Sequence, residues 1–201
     1  MLRWGRMEFS GGFLFWMALL WYLDLGRVLA CYLAAALLHE WGHAWTARRL
    51  GARIRRLRLT VLGAEMTLDG RERLSYGGEL LVEAAGPAVN LLTGLAALAL
   101  GGPGWLADFA GASLVLGVFN LLPLAPLDGG QMVRSALSLL ASPEAGERAA
   151  RWAGLLLGGV LLALGVMVAL GSGYNLSLLA VALWALTAQV RKSGGFSPIR
   201  A

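Results

Sequence analysis

Only two histidines occur in this chain, and they stand four residues apart with a glutamate beside the first: His39-Glu40-Trp41-Gly42-His43. This is an HExxH pattern. On a helix, residues i and i+4 project from one face, so both imidazoles can grip a single metal ion. The pattern lies inside the apolar stretch from Val28 to Ala47, which reads as a membrane-spanning helix. Ionisable side chains are expensive at membrane depth and imply a function there.

Two imidazoles leave a zinc site incomplete, because a catalytic zinc takes three protein ligands and keeps one position open. With no third histidine, the missing ligand should be a carboxylate. Glu65, Glu79, Glu83, Asp108 and Asp128 are the candidates near the apolar segments. Asp108 falls toward the opposite end of its segment from the histidines, and Glu65 lies in a loop, so Asp128 and Glu83 are the main contenders. The single cysteine, Cys31, reads as a small buried apolar residue. Asp128 belongs to the run Asn120-Leu121-Leu122-Pro123-Leu124-Ala125-Pro126-Leu127-Asp128-Gly129-Gly130. Pro123 and Pro126 remove backbone donors and break the helix, while Gly129 permits close approach. A broken helix carrying an acid at the depth of the histidines is a plausible metal cradle.

The elements that must position these residues follow from composition. Of 201 residues, 58% are hydrophobic and only 14% charged. An ordinary soluble domain carries about 25% charge. Six apolar segments can be drawn, at 9–25, 28–47, 79–100, 105–122, 152–170 and 174–190, each near the ~20 residues that span a bilayer. The first has no small-residue cleavage site and is expected to remain as a helix. If the N-terminus is cytoplasmic, all basic residues but Arg27 fall on that side, including the eight arginines from Arg48 to Arg73. The positive-inside rule thus favours both termini in the cytoplasm, and topology with anionic-lipid contact explains the net charge of +5 without nucleic acid. Between Arg53 and Leu68 the apolar residues alternate around Gly63, as in a β-hairpin at the membrane surface. The expected fold is an all-α polytopic membrane protein, with about six transmembrane helices and a short β-hairpin-like loop between helices 2 and 3. Residues 1–201 form one integral-membrane domain in this reading.

Three motifs in order give the chain a family resemblance. His39 to His43 matches HExxH, Gly86-Pro87-Ala88-Val89-Asn90 matches Gly-Pro-x-x-Asn, and Asn120 through Gly129 matches an Asn-Pro-Asp-Gly pattern. The chain resembles the site-2 protease family of zinc intramembrane metalloproteases (peptidase family M50). It is most similar to the stage IV sporulation protein FB branch, and no CBS or PDZ domain is read in it. The resemblance implies one zinc ion per chain held by His39, His43 and Asp128, with Glu40 as general base. It implies that Glu40 takes a proton from the attacking water and passes it to the leaving amine. Asn120 is a candidate for contact with substrate or oxyanion. Gly86, Pro87, Asn90, Pro123, Pro126 and Gly129 are expected to shape the scaffold.

The function so implied is hydrolysis of a peptide bond in or near a transmembrane segment of a partner protein, on the cytoplasmic side of the cell membrane. Either a regulatory membrane partner governs access or the enzyme is constitutive, and the Arg53–Leu68 hairpin is a candidate to pair with an unwound substrate. Two other readings remain. One is a membrane metalloprotease for soluble or unfolded peptides, with Glu83 as third ligand. The other is a non-proteolytic zinc-binding transporter or scaffold.

Overall fold

The computed structural model describes residues 2–4, 7–9, 22, 26–60, 63–69, 74–172 and 175–194. The chain divides into two compact units, Met1–Asn120 and Leu121–Ala201.

The first unit carries four strands and three helices. The strands are β1 (Leu2–Trp4), β2 (Met7–Phe9), β3 (Arg53–Thr60) and β4 (Gly63–Asp69). They form one sheet in the order β1-β2-β3-β4. β1 and β2 are antiparallel, β2 runs parallel to β3 with Met7 opposite Leu57, and β3 and β4 are antiparallel with Leu57 opposite Met66. The all-α expectation is therefore corrected. A four-stranded sheet is present, and β3 and β4 belong to it instead of forming a lone loop. Its N-terminal strands are three residues each, too short to announce themselves locally, and they depend on a partner some fifty residues away.

Helices α1 (Gly26–Arg49), α2 (Tyr76–Leu100) and α3 (Gly104–Asn120) complete this unit and pack against one another. α1 ends with Arg48 and Arg49, whose charge complements the helix dipole. The chain then turns through Gly51 at φ 89°, a left-handed position that favours glycine. Ser75 caps α2, its hydroxyl accepting from the Gly78 amide at 3.2 Å. α1 and α2 approach closely at Gly42, where a β-carbon would meet the Ala85 carbonyl oxygen at 2.7 Å.

The second unit contains α4 (Asp128–Leu140), α5 (Pro143–Ser172) and α6 (Ser177–Gly194). α5 packs against both α4 and α6. α5 begins nine residues before the apolar segment expected at 152–170, because Ser142 caps it and Pro143 suits the first helical position.

The expectation of about six transmembrane helices is also corrected. Among the described residues two helices are long and apolar enough to cross a membrane, Tyr76–Leu100 and Pro143–Ser172. The polar residues of HExxH lower the mean hydropathy of α1. α3 has 17 residues, about 25 Å of helix against a hydrocarbon core of ~30 Å. The apolar part of α6 is shorter still, Ser177–Val190. The expected first span, 9–25, lies outside the described residues apart from Phe9 and Tyr22. Both long helices expose their large apolar side chains, among them Leu92, Leu95 and Leu98 on α2 and Leu156, Met167 and Leu170 on α5.

Candidate metal centre

α1 presents His39 and His43 on one buried face, toward α2. Their rings meet edge to face with centroids 4.7 Å apart. The outward nitrogen of each ring is fixed by α2. His39 Nδ1 lies 2.7 Å from Asn90 Oδ1, and the other end of that amide, Nδ2, donates to the Ala35 carbonyl at 3.1 Å. Since Ala35 offers only an acceptor, the Asn90 amide has a single sensible orientation. Its oxygen faces His39, which must donate from Nδ1. His43 Nδ1 lies 2.7 Å from the Val82 carbonyl oxygen, also an acceptor only, so it too donates from Nδ1.

With Nδ1 as the donor, each neutral ring turns the lone pair of Nε2 to the same place, and the two Nε2 atoms are 3.0 Å apart. Two lone pairs so close repel unless a proton or a metal cation lies between them. Two nitrogens at ~2.0–2.1 Å from one tetrahedral zinc stand about 3.3 Å apart, so the pair needs little adjustment to share an ion. A donor on Nδ1 also orients a ligating histidine and raises its basicity.

Gly86 leaves the space. A β-carbon there would overlap Nε2 of His43 and crowd Nε2 of His39. Pro87 follows in the helix interior and cannot donate to the Glu83 carbonyl. Thus the Gly-Pro-x-x-Asn motif, expected only to shape helix packing, works on the histidines. Gly86 supplies room and Asn90 fixes a tautomer. The signal for Asn90 was its type: a fully buried amide in an apolar helix needs partners for all its polar atoms.

The other predicted residues are placed as follows. Glu40 follows His39 on α1 and is half-buried. Glu83 is buried on α2. Asp108, at the start of α3, pairs with Arg27 at 2.7 Å. Cys31 is buried, its thiol donating to the Trp105 carbonyl at 3.4 Å. Asn120, at the end of α3, donates from Nδ2 to the Leu116 carbonyl at 3.0 Å, using one of its two amide protons.

Asp128 is the first residue of α4, where the positive end of the helix dipole favours a carboxylate. Pro123 and Pro126 stop the backbone from coiling, and tight turns replace it. Leu124 donates to the Leu122 carbonyl at 2.7 Å and Leu127 to the Leu124 carbonyl at 2.9 Å. α4 packs directly on this turn, for a β-carbon on Gly129 would overlap the Leu121 and Leu122 carbonyls. Within the first unit His39 and His43 offer two imidazoles to a metal ion, and within the second Asp128 offers a carboxylate at the start of α4.

If Asn90 holds His39 for the metal, Asn90→Ala lowers zinc affinity by about 10–100-fold, the usual cost of losing a residue that orients a ligand. Asn90→Asp keeps an acceptor facing Nδ1 and retains most of the affinity. Chelator competition on the two purified variants reads both values, and equal losses would remove the tautomer argument.

Known proteins share the pattern. The model for peptidase family M50 matches residues 28–107 and 103–165. A zinc metalloprotease of Methanocaldococcus jannaschii is 32% identical over 112 residues, covering 52% of this chain and 32% of that protein. Rip3, a Mycobacterium tuberculosis chain that carries a zinc metalloprotease name, is 37% identical over 162 residues, covering 73% of this chain and 40% of Rip3. The chain thus spans well under half the length of these curated relatives. The solved site-2 protease from Methanocaldococcus jannaschii has the same fold, with a TM-score of 0.69 at 23% identity, covering 100% of this chain and 97% of that one. The paired imidazoles and the relatives' names agree on zinc as the metal.

Proposed function

The chain belongs to peptidase family M50, and from that premise we propose that it is a zinc-dependent endopeptidase cutting within or beside a transmembrane segment of a membrane protein. The observation that carries the reading is the pair of Nε2 atoms held 3.0 Å apart by Asn90 and Val82, with Glu40 adjacent in sequence.

His39, His43 and Asp128 hold the zinc in this proposal. When bound there, zinc supplies Lewis acidity, which polarises a carbonyl and brings the pKa of water close to neutral. Glu40 accepts the proton released as water attacks the scissile carbonyl and delivers it to the leaving amine. The remaining amide proton of Asn120 is directed to the substrate carbonyl oxygen as its charge develops.

The membrane setting is supported by the apolar surface. Only 17% of the most hydrophobic stretch of α5 is buried, so this helix is not the core of a soluble domain. Contiguous exposed leucines on this scale require lipid or protein cover. The basic residues near the helix ends, among them Arg48, Arg49, Arg148 and Arg151, favour a site on the cytoplasmic side. Substrate is then a partner's transmembrane segment, with access governed by a further membrane protein. The sporulation protein FB branch is the subgroup whose motif wording it shares.

Asp128→Asn and Glu83→Gln distinguish the third ligand. Asp128→Asn should lose zinc and hydrolysis together, while Glu83→Gln should retain zinc at one per chain. Zinc quantitation with cleavage of a reconstituted transmembrane substrate gives both results, and the reverse pattern would make Glu83 the ligand.

A further inference from the structure

Gln189 is a polar residue in the last helix, only 2% exposed, and no step of the proposed chemistry uses it. Its carboxamide is spent on the broken segment that leads into Asp128. Gln189 Oε1 accepts the Ala125 amide proton at 2.9 Å, across 64 residues of sequence. The opposite side of that peptide is held as well, since Gln131 Nε2 donates to the Ala125 carbonyl at 2.8 Å. Gln189 Nε2 makes a longer bond, 3.4 Å, to the Arg151 carbonyl on α5.

The chemistry of the segment explains why Ala125 is the residue to hold. Pro123 and Pro126 have no amide proton. Those of Leu124 and Leu127 are spent in the local turns. The Ala125 amide is the remaining donor between the prolines, it is buried, and a buried amide left without an acceptor costs ~1–3 kcal/mol. The site for the Gln189 amide is shaped for it. A β-carbon on Gly154 would overlap Gln189 Oε1 and lie 2.8 Å from Nε2, so α5 is cut back there to glycine. Leu124, Ala125 and Leu127 are all buried around this bond.

We propose that Gln189 is a positioning residue for Asp128: its side-chain oxygen anchors the Ala125 peptide, which sets the turn that presents the Asp128 carboxylate for metal binding. This rests on Asp128 being the third zinc ligand.

The test uses the full-length protein and zinc alone as probe. Gln189→Met fills similar volume without an acceptor. It should weaken zinc affinity by about tenfold or more in chelator competition, within the range for residues that orient a ligand. With cobalt in place of zinc, its visible absorption should shift away from the wild-type four-coordinate band. Gln189→Glu, protonated in this apolar site, keeps a carbonyl oxygen for Ala125 and should restore affinity to within about threefold of wild type. Gly154→Ala retains the amide but presses a methyl group into it, and should weaken zinc binding in the same direction.

Wild-type affinity and an unchanged cobalt spectrum, in whichever of Gln189→Met and Gly154→Ala folds, would overturn the assignment. So would failure of Gln189→Glu to bind better than Gln189→Met. Asp128→Asn is measured in parallel. If it binds zinc normally, the ligand assignment itself fails. If it loses zinc while the Gln189 variants do not, only the role of Gln189 fails.

Discussion

Glu40→Gln should reduce peptide hydrolysis by roughly 10²–10⁴-fold, the span associated with losing a general base, while the protein still binds one zinc ion. The substitution is nearly isosteric on a half-buried helix position, so little should change in packing. What is lost is the capacity to take a proton, since a carboxamide is not a base near neutral pH. The metal should stay because both imidazoles are held from α2, by Asn90 and the Val82 carbonyl. Loss of zinc in this variant would make Glu40 part of the metal site. Full activity with zinc retained would remove it from catalysis. The variant also gives a trap, because substrates that enter and are not cut should accumulate on it.

Gly86→Ala should weaken zinc binding by more than about 100-fold, beyond the usual cost of losing a residue that orients a ligand. Two effects oppose each other, and their signs separate cause from side effect. Inside a helix alanine is favoured over glycine by about 1 kcal/mol, so α2 itself gains. At this position, however, the new β-carbon overlaps Nε2 of His43 and crowds Nε2 of His39. The atoms displaced are those that bind the metal. A protein with unchanged melting temperature in the absence of zinc, but with little capacity to bind it, is the expected result. Zinc affinity within threefold of wild type would show that the two Nε2 atoms do not converge on the metal.

The metal-binding face was legible because its signal is local. The four-residue spacing of His39 and His43 needs only helical periodicity to bring both rings to one side. The donor that fixes each ring was not legible. Asn90 lies 51 residues from His39 and the Val82 carbonyl 39 residues from His43, and nothing in sequence spacing selects one buried acceptor over another. Asn90 was read as packing for that reason. Gln189 is a plainer case. A glutamine near the end of an apolar helix resembles an interface residue until the Ala125 amide is found beside it.

Element boundaries divide in the same way. The turns at Gly51 and at Gly101-Gly102 follow from residues able to adopt positive φ. The early start of α5 was also written in the sequence, as Ser142-Pro143-Glu144, a cap followed by a proline in the first turn. Hydropathy alone missed it, because the first helical turns are polar. Hydropathy likewise drew a span through HExxH, whereas among the described residues only Tyr76–Leu100 and Pro143–Ser172 are long and apolar enough to cross a membrane. The sheet order could not be read at all, because strand pairing between Met7 and Leu57 is a tertiary event.

The zinc K-edge X-ray absorption spectrum of the purified protein bears most directly on the metal centre. Two imidazole nitrogens at ~2.0–2.1 Å with oxygen donors at ~2.0–2.2 Å, four ligands in all and no sulfur, are expected. Scattering from sulfur at ~2.3 Å, or a spectrum without the imidazole signature, would contradict a site built on His39 and His43.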